Sequence, residues 1–332
     1  MHLLVLVVSR IGDSLLVTPA IRALRRTFPD AYLEVKAHPK RLDVFRNNPH
    51  IDRLGAITPR RARVMGRLFV RRKDLALVFN PDPELEHFAL RTADRVISFG
   101  DPITGHASMS RLIRVRRPVG SIHAVRERLL LAEAAGASSD GDATEYFVSP
   151  RERSAARLWI DSRFGRNARP LVGVQLQSFA TKSHRDWPME KFIDLLGRTR
   201  DRFGSARFVL LGDEHGRSRA IEVAQRLGRS CTVAAGELEL RQSAAIISEL
   251  DLYVGVDTGP THIAGALGVP MVALYHCLYP GRNLAPLGNL NCRIIEHPAA
   301  AGSCSESTGM DDISVDAVWP HVDQLLLDRI HG

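Results

Sequence analysis

The sequence predicts an α/β protein of two doubly wound, Rossmann-like domains facing a central cleft. Three observations carry that expectation. The chain has 332 residues, enough for two domains of ordinary size. Short β-branched runs alternate with helical stretches throughout, as in parallel sheets. At 165–170 the polar stretch "GRNARP" interrupts the alternation, and the α/β plan then restarts at Leu171. A hydrophobic content of 45% with 25% charged residues is globular composition and allows a sizeable core.

The elements follow in order. "MHLLVLVV" is too short for a spanning helix and lacks a signal-peptide cleavage pattern, so it reads as a first buried strand, 3–8. No other segment looks transmembrane. Further strands are expected at 32–37, 75–79 and 95–99, with helices at 14–28, 41–47 and 121–135. In the second half, strands are expected at 171–175, 207–211, 232–234, 252–256, 271–274 and 292–295. Helices are expected at 189–203, 217–227, 241–249, 261–267 and 315–327. A helix at 151–164 leads into the polar join, which puts the domain boundary near 168. The expected units are 1–168, 169–310 and a closing segment 311–332 that can pack back on the first domain.

Charge is unevenly placed. Residues 1–150 hold 24 Lys+Arg against 16 Asp+Glu, which accounts for the whole net charge of +8. The densest patch, "TPRRARVMGRLFVRRKD" (58–74), contains Arg60, Arg61, Arg67, Arg71 and Arg72. The plain alternative is a solvated helix face. The functional one is a surface that meets an anionic membrane or glycolipid. No aromatic interleaving or zinc-finger pattern favours nucleic acid. The four cysteines have no CxxC spacing, so neither a zinc site nor a disulfide framework is expected, and they read as reduced thiols of a cytosolic protein.

Ligands of doubly wound sheets sit at the carboxyl ends of strands, so four loops matter. In "DLYVGVDTGPTHIAGALGVP" (251–270) a buried strand ends in an acid, two hydroxyls, a glycine and a histidine, then opens a small-residue helix. A helix N-terminus offers unpaired N–H groups and a positive dipole end to an anion. Thr258 and Thr261 can cap it or donate to phosphate, and Gly259 allows close backbone approach. Ala264, Gly265, Ala266 and Gly268 let the helix lie close to its sheet. After the first strand, Ser9, Arg10, Gly12 and Asp13 stand where strand gives way to helix. Asp13 there can take a proton, or simply cap the helix. After 171–175, "LQSFATKSHRDWP" offers Thr181, Lys182 and Arg185 at a helix entrance, which suits a pyrophosphate. After 207–211, "GDEHGRS" places Glu214 to bridge ribose hydroxyls. Loop polarity alone is the ordinary alternative for each.

Taken together, "SRIGDSLLVTPAIRAL", "RDWP", "GDEH" and "DTGPTHIAGALGVP" resemble the motifs of glycosyltransferase family 9, the lipopolysaccharide heptosyltransferases, in their order. The tail "GMDDISVDAVWPHV" is similar to that family's closing segment, so the resemblance covers nearly the whole chain. Arg185 stands where lysine is usual, Ala180 where some members carry a second hydroxyl, and Arg10 where many carry a small residue.

The resemblance implies a GT-B fold and an inverting transferase that uses a nucleoside-diphospho-sugar, with no essential metal or other cofactor. It implies an acceptor-binding first domain and a donor-binding second. It implies Asp13 as the base, and Thr181, Arg185, Glu214, Asp257, Thr258, Gly259 and His262 as the donor site. Ser9, Arg10, Gly12, Arg60 and Arg61 are acceptor-side candidates. The expected donor is ADP-heptose and the expected acceptor an anionic lipopolysaccharide core. The expected location is the cytoplasmic face of the inner membrane, with peripheral attachment. Three alternatives stay open: a relative using another nucleotide sugar in capsule or O-chain assembly, a sugar-nucleotide epimerase, and a non-catalytic nucleotide-sugar-binding protein.

Overall fold

A computed structural model describes residues 1–65, 72–101, 111–299 and 301–331. The chain divides into two compact units, Met1–Phe147 and Val148–Gly332.

The first unit contains β1 (His2–Val7), α1 (Ile11–Leu15), α2 (Thr18–Thr27), β2 (Tyr32–Ala37), α3 (Leu42–Phe45), β3 (Arg53–Ala56) and α4 (Pro59–Met65). It continues with β4 (Lys73–Val78), α5 (Pro83–Thr92), β5 (Ala93–Phe99), β6 (Leu112–Val115) and α6 (Ala124–Ala134). Its sheet is parallel, in the order β3-β2-β1-β4-β5-β6. The central strands are apolar on both faces because helices cover both. Leu3 to Val7 and Leu77 to Phe79 are fully buried.

The second unit contains α7 (Pro150–Phe164), β7 (Leu171–Gln175), α8 (Met189–Arg202), β8 (Arg207–Leu211), α9 (Arg217–Leu227), β9 (Cys231–Val233) and α10 (Leu240–Ile247). It continues with β10 (Leu252–Val256), α11 (Gly259–Ala266), β11 (Met271–Tyr275), α12 (Gly281–Leu284), β12 (Cys292–Glu296) and α13 (Val315–His331). Its parallel sheet runs β12-β11-β10-β7-β8-β9. One core cluster joins Trp187, Phe192 and Phe208 to the sheet and to Val318, Val322 and Leu326 of α13.

Several expectations change. The single helix expected at 14–28 is two. Pro19 has no N–H to give the Leu15 carbonyl, and its ring crowds that carbonyl. The Thr18 hydroxyl donates to it instead at 2.7 Å. The break leaves α1 as a short turn carrying Asp13. β3 and β6 are short edge strands whose sequences, "RLGA" and "LIRV", lack a clear alternation. α5 was not expected, although its start signals stand in the sequence: Asp82 caps it through the N–H groups of Glu84 and Leu85, and Pro83 opens it.

The division falls at 147/148 rather than near 168, because α7 is bound into the second unit. Glu152 accepts from Arg241 of α10 at 2.8 and 2.6 Å, and Arg157 donates to Glu249 at 2.8 Å. The closing helix also belongs to the second unit. It packs on α8 and the sheet, and Ile313 just before it accepts from the Trp187 indole at 2.9 Å.

The reading of four reduced thiols is overturned for two of them. Cys277 and Cys304 are disulfide-bonded, with their Cα atoms 5.9 Å apart. They lie 27 residues apart in sequence. Parallel neighbours β11 and β12 end on the same side of the sheet, and the loops after them bring the two sulfurs together. No spacing rule registers that.

Candidate active site

In the second sheet β10 and β7 are adjacent at the centre, where the winding direction reverses, so the loops after them flank the crevice that doubly wound sheets use. The loop after β7 is firmly held. Asp186 accepts from the Ser178 N–H at 2.6 Å and from Arg219 at 3.2 Å, and the Ser178 hydroxyl donates to the Lys182 carbonyl at 2.6 Å. With Trp187 anchored on Ile313, the "RDWP" motif divides its labour. Asp186 and Trp187 fix the loop, and Arg185 is presented to β10.

Arg185 donates to the Asp257 backbone carbonyl at 2.9 Å, and its guanidinium pairs with the Asp257 carboxylate. The other oxygen of that carboxylate stands 3.3 Å from His262 Nε2. All three side chains are buried. Asp257 thus orients an arginine and a histidine at the entrance of α11. A buried carboxylate needs such partners. The Arg185 guanidinium also lies 4.7 Å from the centre of the Tyr279 ring. Lys182 reaches the Tyr279 hydroxyl at 3.2 Å and Glu306 at 2.6 Å.

Thr258 occupies the N-cap of α11 in extended conformation but makes no side-chain cap, and Gly259 is the first helical residue. The Thr261 hydroxyl donates to the Val256 carbonyl at 2.6 Å and meets the Tyr253 hydroxyl at 2.9 Å. It is fully buried and committed to the strand end, so it does not take the expected capping role, and Thr258 makes no side-chain cap either. Gly265 is required for a different approach than expected. A Cβ there would run into Pro286, in the segment after α12. Thr181 is exposed in its loop. Glu214 sits in the turn after β8, and its carboxylate occupies the space that a Cβ on Gly236 would fill. Gly236 also has φ +74, so it is a glycine on two counts. A Cβ on Gly216, in the same turn, would touch Gln177, so the loops after β7 and β8 abut. Arg185, Asp257, Thr258, Gly259 and His262 therefore form one cluster, with Thr181 and Glu214 on flanking loops.

The acceptor-side candidates and Asp13 belong to the first unit. There β1 and β4 are the adjacent central pair. Asp13 is inside α1, and the N-cap is Arg10. The capping role weighed for Asp13 is therefore not the one it plays. Its carboxylate makes no hydrogen bond or ion pair among the described residues. Gly12 precedes it in the same turn, the exposed Arg10 opens it, and the Ser9 hydroxyl meets that of Ser14 at 3.0 Å. Arg60 and Arg61 are exposed on α4, with no ion pair among the described residues. Arg72 pairs with Asp94. Arg67 and Arg71 lie outside the described residues. Among the described residues no helix is long and apolar enough to cross a membrane.

Tyr279, Glu306, Gln177 and Gly236 were not singled out from sequence. Tyr279 had a usable signal, since "HCLYPGRN" follows β11 directly and the carboxyl-end rule covers it. Glu306 had none. It lies 124 positions from Lys182 and meets it only through folding.

Two parallel six-stranded sheets wound in this way define the GT-B class of nucleotide-sugar enzymes. Residues 88–308 match Glycosyltransferase family 9 (heptosyltransferase). That span is more than half of the chain, which belongs to this family and is a glycosyltransferase. It is similar to lipopolysaccharide heptosyltransferase 3 of Escherichia coli K12, at 22% identity over 80% of this chain and 79% of that one. Among solved structures it superposes on a family 9 glycosyl transferase from Veillonella parvula with a TM-score of 0.81 at 20% identity, covering 98% and 97% of the two chains. It also superposes on E. coli ADP-heptose lps heptosyltransferase II with a TM-score of 0.77 at 20% identity, covering 99% and 100%.

Proposed function

We propose that this glycosyltransferase moves a heptose from ADP-heptose to a lipopolysaccharide core, with inversion at the anomeric carbon. The carrying observation is the buried Arg185–Asp257–His262 cluster at the start of α11. There the donor's diphosphate receives Arg185, His262, the Thr258 hydroxyl and the first N–H groups of the helix. These groups stabilise the charge that grows on departing ADP. Asp257 repels phosphate by itself, and its part is to hold the Arg185 and His262 side chains in place. Glu214 takes the ribose hydroxyls and Thr181 a phosphate oxygen.

In the transfer step Asp13 accepts the proton of an acceptor hydroxyl as that oxygen bonds to the anomeric carbon. The bond from that carbon to the diphosphate breaks, and ADP leaves with the electron pair. A carboxylate in a short helical turn, with no hydrogen bond or ion pair among the described residues, suits a general base. Ser9, Arg10 and Gly12 border the acceptor, whose phosphates meet Arg60 and Arg61. The exposed arginines of α4 support peripheral attachment to the cytoplasmic face of the inner membrane.

The test offers the purified protein a panel of ADP-, UDP- and GDP-sugars, with and without extracted lipopolysaccharide cores, and reads products by mass. A heptose-sized gain on the core from ADP-heptose alone is expected. Sugar isomerisation without acceptor would mark an epimerase. Transfer from a different nucleotide sugar would replace the donor assignment.

A further inference from the structure

We propose that His276, Cys277 and Cys304 form a binding site for a borderline-soft divalent cation of the zinc class once the Cys277–Cys304 bond is reduced. This site lies outside the residues given to catalysis, and it stands whether or not the donor and acceptor assignments hold.

The three ligand atoms all lie within 4.8 Å of one another. His276 Nδ1 is 3.9 Å from Cys277 Sγ and 4.0 Å from Cys304 Sγ. In a tetrahedral site with metal–sulfur bonds near 2.3 Å and metal–nitrogen bonds near 2.0–2.1 Å, the N···S edges are about 3.6 Å. The nitrogen is thus already placed, and the sulfurs need only part from each other.

The histidine is also set in the right tautomer. His276 Nε2 lies 2.7 Å from the Thr308 carbonyl oxygen. A carbonyl only accepts, so Nε2 carries the hydrogen and Nδ1, the nitrogen that lies near both sulfurs, keeps a lone pair. A ligating histidine is normally fixed by such a carbonyl on its far nitrogen. The Leu278 N–H donates to Nδ1 at 3.1 Å in the disulfide form, and the ion displaces that contact. A cavity of about 250 Å3 lined by His276, Cys277, Arg282, Glu296 and His297 adjoins the site and leaves the fourth position to water. The remaining cysteines, Cys231 and Cys292, are free thiols. Burial pushes the Cys231 thiol up to about 12 and that of Cys292 to about 11.

The chemistry balances with a thiol reductant. Two thiols reduce the Cys277–Cys304 bond and leave as their own disulfide. The two cysteine thiols then each lose a proton as the divalent ion binds. Disulfide and metal site are therefore alternative cross-links between the same two loops. One loop carries Tyr279 and the other Glu306, and both contact Lys182. In reducing surroundings the ion would keep those loops joined beside Arg185.

The test uses the full-length protein, reduced with a phosphine under anaerobic conditions and titrated with cobalt(II). Expected are a thiolate-to-cobalt charge-transfer band and the visible bands of a tetrahedral ion, saturating at one ion per chain and abolished by added zinc. The air-oxidised protein should show neither. C277S, C304S and H276N should each weaken binding by about 100-fold or more, since outer-shell partners alone are worth about 10–100-fold. C231S and C292S should leave it unchanged. The parent spectrum decides the matter even if a variant misfolds. A reduced parent without the charge-transfer band overturns the proposal, as does a folded C277S/C304S double variant that binds cobalt as the parent does.

Discussion

Arg185 donates to the Asp257 carbonyl at 2.9 Å and pairs with the carboxylate of the same residue, so backbone and side chain of one aspartate hold one arginine. The same carboxylate orients His262. The strand end after β10 and the loop after β7 are thereby joined through a single acid.

Removing either basic partner should weaken binding of the nucleoside diphosphate. Charge-assisted contacts are worth about 1.5–3 kcal/mol each, which is roughly tenfold to over a hundredfold in affinity. Titration calorimetry with ADP on Arg185→Ala and His262→Ala checks this. Equal affinity in parent and both variants would take the diphosphate away from this cluster.

Asp13→Asn should lower turnover by about 10²–10⁴, the usual worth of a general base. ADP affinity and the thermal midpoint should stay with the parent, because the Asp13 carboxylate makes no hydrogen bond or ion pair among the described residues. Turnover within a few-fold of the parent would falsify the mechanism.

Charge removal on α4 should act on membrane binding alone. A basic residue near an anionic surface is worth about 1 kcal/mol, so Arg60→Ala/Arg61→Ala should sediment with anionic vesicles several-fold less well at low salt. Arg63→Ala is the control, since Arg63 donates to Glu84 at 2.7 Å and its charge is already matched. Equal sedimentation of parent and double variant would return α4 to an ordinary solvated helix.

Glu152 closes the capping box with Ser149 and accepts from Arg241, which brings its carboxyl from the usual 4.5 down to about 2. A carboxyl lowered in the folded state stabilises above its unfolded value, and that stability is lost as pH falls from about 4.5 toward 2. Glu152→Gln should therefore cost about 2 kcal/mol at pH 7. Its deficit against the parent should shrink across that acid range. Urea unfolding followed at several pH values measures both.

The central strands and most helices were legible because their signals are local. Runs such as Leu3–Val7 and Leu252–Val256 are apolar on both faces, as strands covered by helices on each side must be. "DTGPTH" announced a strand end entering a helix, since Gly259 and Pro260 are first-turn residues for backbone reasons alone. β3 and β6 escaped because an edge strand is recognised by its neighbour more than by its own pattern. The helix break before Pro19 follows from one missing N–H and could have been read from the sequence. The join near 168 could not, because what assigns α7 to the second unit is Glu152 meeting Arg241, 89 positions away.

Local sequence accounts for the two wound sheets, the four loops at their carboxyl ends and the family to which the chain belongs, because each rests on periodicity or contiguous motifs. Folding alone settled which side chains meet. Asp257 takes both Arg185 and His262, while Thr261 turns away to the strand. Gly265 faces Pro286 rather than the sheet. Cys277 and Cys304, read as unrelated thiols, converge on His276. Each of these depends on where parallel strands release their loops. That position comes from the packing of distant segments, and contiguous sequence carries no record of it.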